Sequence, residues 1–362
     1  MHRFVFARAA CLCAFAFAFA ARANSVTDEV GVGTTDTTPD NPRAGNLSNN
    51  LDASFDLSDR WTLNAGVGLF REAATPRATG SDFGGSASGI AAFSAGLEFD
   101  PTDAVALALD AEVSPSSTQT SASQLTFTNP KDNSTVVAND QLSAASSSSS
   151  IAGSVSYDST GDSDLEWGLN FGLTGSHFAT DQRIVAVQTS SGPQSSAYLK
   201  DICKNGGKCS RRVLAALRES PATLDSARVS VGGTITAYTD TDFSLTADYY
   251  GYDQDPTQVG YFSIGARQTV SGGGGIAIAP LRYLLRPEVV HRFGDFSAKL
   301  WVTTGEYVDQ TGQATRSIGT RLQYKFTKAF RLRLSLSVQN DTDQTGPSIT
   351  SGNYGLGAGY RF

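Results

Sequence analysis

The amino-acid sequence predicts an all-β fold: a transmembrane antiparallel up-and-down β-barrel of fourteen strands, with twelve and sixteen as the alternatives. Three observations lead there. The chain opens on an export signal. No later run approaches the twenty or so apolar residues that a membrane helix needs, so any crossing falls to strands. Between the two ends, short polar turns recur, each flanked by apolar residues alternating with small or polar ones, the period of a strand with two unlike faces.

The export signal occupies residues 1–23. His2, Arg3 and Arg8 make a basic start, Ala9 to Ala20 an apolar run, and Ala21-Arg22-Ala23 a small-x-small cleavage site. The barrel then takes up residues 24–362. The apolar run is too short and too Ala-rich for a retained helix, and lipidation at Cys11 or Cys13 would cut inside it. A net charge of -7 and a pI near 5.0 leave no basic footprint for nucleic acid.

The hairpins follow in order. Leu51, Ala53 and Phe55 lead into a turn at 56–60, and Trp61, Leu63, Ala65, Val67 and Leu69 lead out. Phe93, Ala95, Leu97 and Phe99 meet a turn at 100–103, with Val105, Leu107 and Leu109 beyond it. Ile151, Val155 and Tyr157 precede 158–164, and Leu165, Trp167, Leu169 and Phe171 follow. The pattern recurs around 239–242, 292–295 and 327–329. Aromatic residues crowd all six turns, as an interfacial girdle requires, so the turns belong at the periplasmic rim and the longer connections outside. Six hairpins and a closing strand make thirteen strands, yet a bacterial barrel closes on an even number. Residues 25–35, with Val26, Val30 and Val32 in phase, supply the missing one, turning through 37–43 into the strand that starts near Asn46. Residues 259–280 form a hairpin either in the wall or within a loop, and both choices preserve parity.

The closing strand places Tyr354, Leu356, Ala358, Tyr360 and Phe362 on one face and Asn353, Gly355, Gly357, Gly359 and Arg361 on the other. Ending on an aromatic residue in this phase, it resembles the C-terminal signal strand of Gram-negative outer-membrane β-barrels, over about twelve residues. The resemblance implies an integral outer-membrane protein surrounded by lipid and lipopolysaccharide, with Tyr360 and Phe362 read by the barrel-assembly machinery.

Two outer connections stand out. Residues 114–150, rich in Ser, Thr and Asn and ending in five serines, read as a long extracellular loop, within which 124–127 can pair with 134–137. Residues 176–225 read as a second such loop holding the one helix-like segment, 211–219, capped by Ser210. Just before it, Cys203 and Cys209 are expected to form a local disulfide in an oxidising compartment. This loop either decorates the surface or constricts the mouth.

If the apolar phase marks lipid, the other phase gives the interior. Asp110, Glu112, Glu166 and Asp248 then point inward from the first part of the wall. Arg282, Arg286, Lys299, Arg321, Lys325, Arg331, Arg333 and Arg361 do so from the last part, with Glu288 as the exception. Pro287 threatens the phase of Arg282 and Arg286 through a bulge. Acid opposite base resembles the constriction of general porins, where a transverse field sorts solutes by charge. The expected function is therefore porin-like passive diffusion of small solutes, with no cofactor, no metal and no catalytic residue. Two other readings remain open. One is a non-conducting surface barrel whose long loops bind a partner. The other is a hydrolase using His177, which sits beside Ser176 and four residues before Asp181.

Overall fold

The computed structural model describes residues 25–38, 43–75, 85–128, 135–159, 165–189, 192–194, 197, 201, 222–237, 240–256, 281–308, 314–342 and 349–362. The export signal, Cys203, Cys209, the segment 211–219 and the region 259–280 lie outside them.

The strands are β1 (Ser25–Thr38), β2 (Arg43–Ser58), β3 (Trp61–Thr75), β4 (Gly85–Thr102) and β5 (Val105–Thr128). They continue as β6 (Thr135–Asp158), β7 (Leu165–Thr189), β8 (Gly192–Gln194), β9 (Ala222–Ala237) and β10 (Thr241–Tyr252). The last are β11 (Leu281–Phe293), β12 (Phe296–Tyr307), β13 (Ala314–Lys325), β14 (Phe330–Thr342) and β15 (Ile349–Arg361). Every pairing is antiparallel and each wall strand pairs with the next in the chain. β1 pairs with β15 from Thr27↔Arg361 to Thr38↔Thr350, which closes the ring. Fourteen strands thus form the wall, with the three-residue β8 riding on the far end of β7. Closure leaves no edge whose amides would face hydrocarbon.

Both the first strand and the strand ends that bound the six turns fall where alternation and parity place them. At 294–295 the turn has two residues, and Gly294 takes φ +62, a left-handed geometry that costs glycine little and matches the twist of the flanking strands.

The apolar phase faces out. Leu169 is 56% exposed, Leu245 54% and Leu356 53%, and the same holds along each strand, whereas the buried large hydrophobics among the described residues are Val26, Phe70, Leu224 and Tyr307. A water-soluble protein cannot present that surface; a lipid-facing barrel must. At the periplasmic end aromatic rings touch across strands, Trp61 stacking on Phe99 at 4.3 Å and Tyr157 meeting Trp167 at 5.4 Å, and along the closing strand Tyr360 meets Phe362 edge-on at 4.8 Å. This is the girdle that the turns' composition predicts.

Two expectations are corrected. Residues 114–150 are not a loop for most of their length: β5 and β6 stay paired from Val105↔Tyr157 out to Thr128↔Thr135. A register shift between Ser114 and Ser117 accommodates Pro115, which has no amide to donate. Likewise β7 and β9 pair up to Thr180↔Ala222, so the interval 176–225 begins and ends as wall. From Ser114 to Gln124 neither phase is apolar, so that stretch leaves no alternation to read. The second correction concerns Pro287. Leu285↔Thr304 and Glu288↔Trp301 keep one register across it, and the bulge lies instead between Leu281 and Tyr283, at Arg282. Proline interrupts the hydrogen bonds there without inserting a residue, so Arg286 keeps its inward phase.

Candidate functional site: the barrel interior

The inner phase alternates with the belt, so each charged residue's place is set by its strand. A cavity of about 550 Å³ touches β1 to β7 and β9, an arc that only the concave side of the ring offers. Asp52, Asp110, Glu112 and Arg228 line it among Ser, Ala and Asn side chains. Arg228 donates to the Thr174 hydroxyl at 3.1 Å. Asp248, on β10, accepts a short hydrogen bond from the Ser230 hydroxyl.

A second cavity, of about 430 Å³, is bounded by β11, β12, β13 and β14. Arg286, Glu288, Lys299 and Arg321 line it together with Trp301, Leu281, Leu284 and Tyr307. Lys299 pairs with Glu288 at 2.5 Å. Arg321 donates to Ser335 Oγ at 3.3 Å and lies 5.9 Å from the Trp301 ring centroid, within cation–π range. The Tyr307 hydroxyl donates to Asp341 at 2.9 Å, which satisfies a buried carboxylate at the cavity's outer end.

Arg331 and Arg333 border neither cavity. They reach across β15 to Glu29 on β1, at 3.0 Å and 2.5 Å. Two strand spacings, about 10 Å, separate their backbones, and the path is clear because the inner face of β15 is glycine. A Cβ on Gly359 would stand 2.9 Å from Arg331 Nε, and one on Gly357 would touch Arg333 and Glu29.

The structure therefore brings Asp110 and Glu112 together, brings Arg286, Lys299 and Arg321 together, and sets Asp248, Arg331 and Arg333 apart from both groups. Sequence reasoning missed Glu29, Asp52, Arg228 and Trp301. All four sit in the inner phase, so reading that phase for every strand finds them; what they touch depends on which strands close against which.

Arg282, at the bulge, pairs with Glu306 at 2.8 Å. His177 lies in the outer phase at the extracellular end, its Nδ1 2.5 Å from Asp225 Oδ1, and the Asp225 amide donates to Asp253 at 2.9 Å. Both side chains are more than half exposed, and Ser176, in the opposite phase, pairs with Ser226. Ser176 therefore aims no hydroxyl at the dyad. His291 hydrogen-bonds Thr241 at 2.7 Å and meets Phe293 edge-on at 4.1 Å, as a girdle residue. No cluster of three or more His, Cys, Asp or Glu among the described residues is placed to hold a metal ion.

Belt, girdle and closed ring define the class: an integral β-barrel of the outer-membrane type. Among solved structures the chain is similar to the CymD monoaromatic hydrocarbon channel, with a TM-score of 0.51 and 10% identity over 93% of this chain and 88% of that one. It is similar also to the TodX deltaS2S3 mutant monoaromatic hydrocarbon channel, TodX being a toluene transporter of Pseudomonas putida, with a TM-score of 0.53 and 10% identity over 94% and 90% of the two chains. At that identity the likeness is one of fold. No family model and no curated protein sequence matches the chain.

Proposed function

We propose that this barrel is a passive channel for small solutes whose selectivity comes from an acidic arc facing a basic one. The observation that carries the reading is the pair of interior cavities. Asp52, Asp110 and Glu112 line one, while Arg286, Lys299 and Arg321 line the other. Fourteen strands lie between the eight that side chains fill and the sixteen that leave a channel. Here the inner phase is rich in Gly, Ser and Ala, including Gly355, Gly357 and Gly359 on β15, so side chains do not fill the space. Charges on low-dielectric walls focus the field between them and bias which ions enter. The two channels of similar fold agree with this reading at the level of architecture.

Purified protein in a planar bilayer should give discrete conductance steps, and a silent bilayer at high salt would end the proposal. Arg321→Glu combined with Arg286→Glu should move the reversal potential in a salt gradient toward cation preference; an unmoved potential would remove the basic arc from the mechanism. One observation favours a second reading, a non-conducting surface barrel: β5, β6 and β7, of 24, 24 and 25 residues, outrun the membrane, which needs roughly 9–11. That protein would be silent in the same recording.

A further inference from the structure

The second cavity departs from its surroundings. Inner positions of a channel barrel are expected to be polar, yet here Trp301, Leu281, Leu284 and the Tyr307 ring share one pocket on adjacent strands. The chain is shaped to put them there. Leu281 and Leu284 are three apart and would face opposite sides of a regular strand; the bulge at Arg282 lets both line the interior. Trp301 lies against Gly319 of β13 so closely that any Cβ there would overlap its indole. Glycine at that position opens the wall for a flat ring.

Around this apolar patch the charges do not balance. Lys299 is matched by Glu288. Neither Arg286 nor Arg321 is in ion-pair contact with a carboxylate among the described residues. Arg321 is held beside the indole by Ser335 and by the ring itself. A volume of about 430 Å³ is in the range of about 300–1,000 Å³ that small-molecule pockets occupy. An aromatic and aliphatic wall, two uncompensated guanidiniums and room for one small molecule describe a complement for a flat ring carrying one negative charge. An inorganic anion would leave the apolar wall unused, and a neutral hydrocarbon would leave the cations unpaired.

We infer that the cavity between β11 and β14 is a binding subsite for a small aromatic carboxylate. The ring packs on Trp301 and Leu284, and the carboxylate meets Arg321 and Arg286. The inference leans on the channel reading for the ligand's route and on the cavity alone for its chemistry.

Equilibrium dialysis of radiolabelled benzoate against the full mature chain in detergent tests it without any need for conduction. Saturable binding near one benzoate per chain is expected, with acetate (charge without a ring) and benzylammonium (ring with the opposite charge) each competing at least about tenfold less well. Arg321→Gln and Trp301→Ala should each weaken benzoate binding about tenfold or more, while Lys328→Gln, in a periplasmic turn, leaves it unchanged. No saturable binding, equal competition by acetate or benzylammonium, or affinity untouched by both cavity substitutions overturns the inference. Should Trp301→Ala fail to fold, Arg321→Gln and the wild-type competition decide the matter. A bilayer that conducts without benzoate binding removes the subsite and keeps the channel; benzoate binding by a silent barrel does the reverse.

Discussion

Glu29 accepts two arginines across a strand that contributes no side chain to the contact. The bond ties β14 to β1 over β15, at the seam where the last strand meets the first. The three side chains are 23–38% exposed, between a surface pair, which contributes almost nothing, and a buried one, whose breaking costs several kcal/mol. Glu29→Ala leaves two neighbouring cations facing each other and should destabilise the barrel by about 1–3 kcal/mol. Glu29→Gln keeps an acceptor for one of them and should cost less. The check is the denaturant midpoint in detergent, read with the temperature at which the folded band disappears on electrophoresis. An unchanged midpoint for Glu29→Ala would show that the seam holds without the pair.

Along a single strand the two phases make opposite demands, and β14 offers a direct comparison. Leu336 faces lipid and Ser337 the interior. Leu336→Arg should lose about 2–4 kcal/mol, the cost of a cation at mid-bilayer, and Ser337→Arg well under 1 kcal/mol; equal losses would mean the phase is wrong. That phase was legible in the sequence wherever one face met hydrocarbon, which is why the six turns and the strand at Ser25–Thr38 are found without a structure. Where both faces meet water the code vanishes, so β5 past Val113 and β6 before Ile151 read as loop although they are paired strand. Pro287 misled for a different reason: a missing amide and an extra residue leave the same mark in a sequence, and only pairing to both neighbours separates them. The interior was half legible. Which charges point inward follows from counting by twos, but Glu29 meeting Arg333, 304 residues away, follows from ring closure. Trp301, between Lys299 and Thr303 in the inner phase, gives no hint of Gly319 until β12 and β13 are in register.

For the molecule as a whole, two ways of being selective must be told apart. Charges that a passing ion touches act at contact range and are weakly screened, whereas opposed walls acting across a water-filled lumen are subject to the Debye length, about 10 Å at 0.1 M salt and about 3 Å at 1 M. Here the acidic residues line an arc running from β1 to β9 and the basic ones an arc from β11 to β14, with separate cavities against each. On the channel reading proposed above, the arrangement belongs to the second kind. Neutralising the acidic arc with Asp110→Asn and Glu112→Gln should therefore shift the reversal potential toward anions at 0.1 M potassium chloride, and most of that shift should be gone at 1 M. A shift of equal size at both concentrations would mean that Asp110 and Glu112 line a constriction narrow enough for ions to touch them, and the opposed-wall mechanism would give way to a local filter.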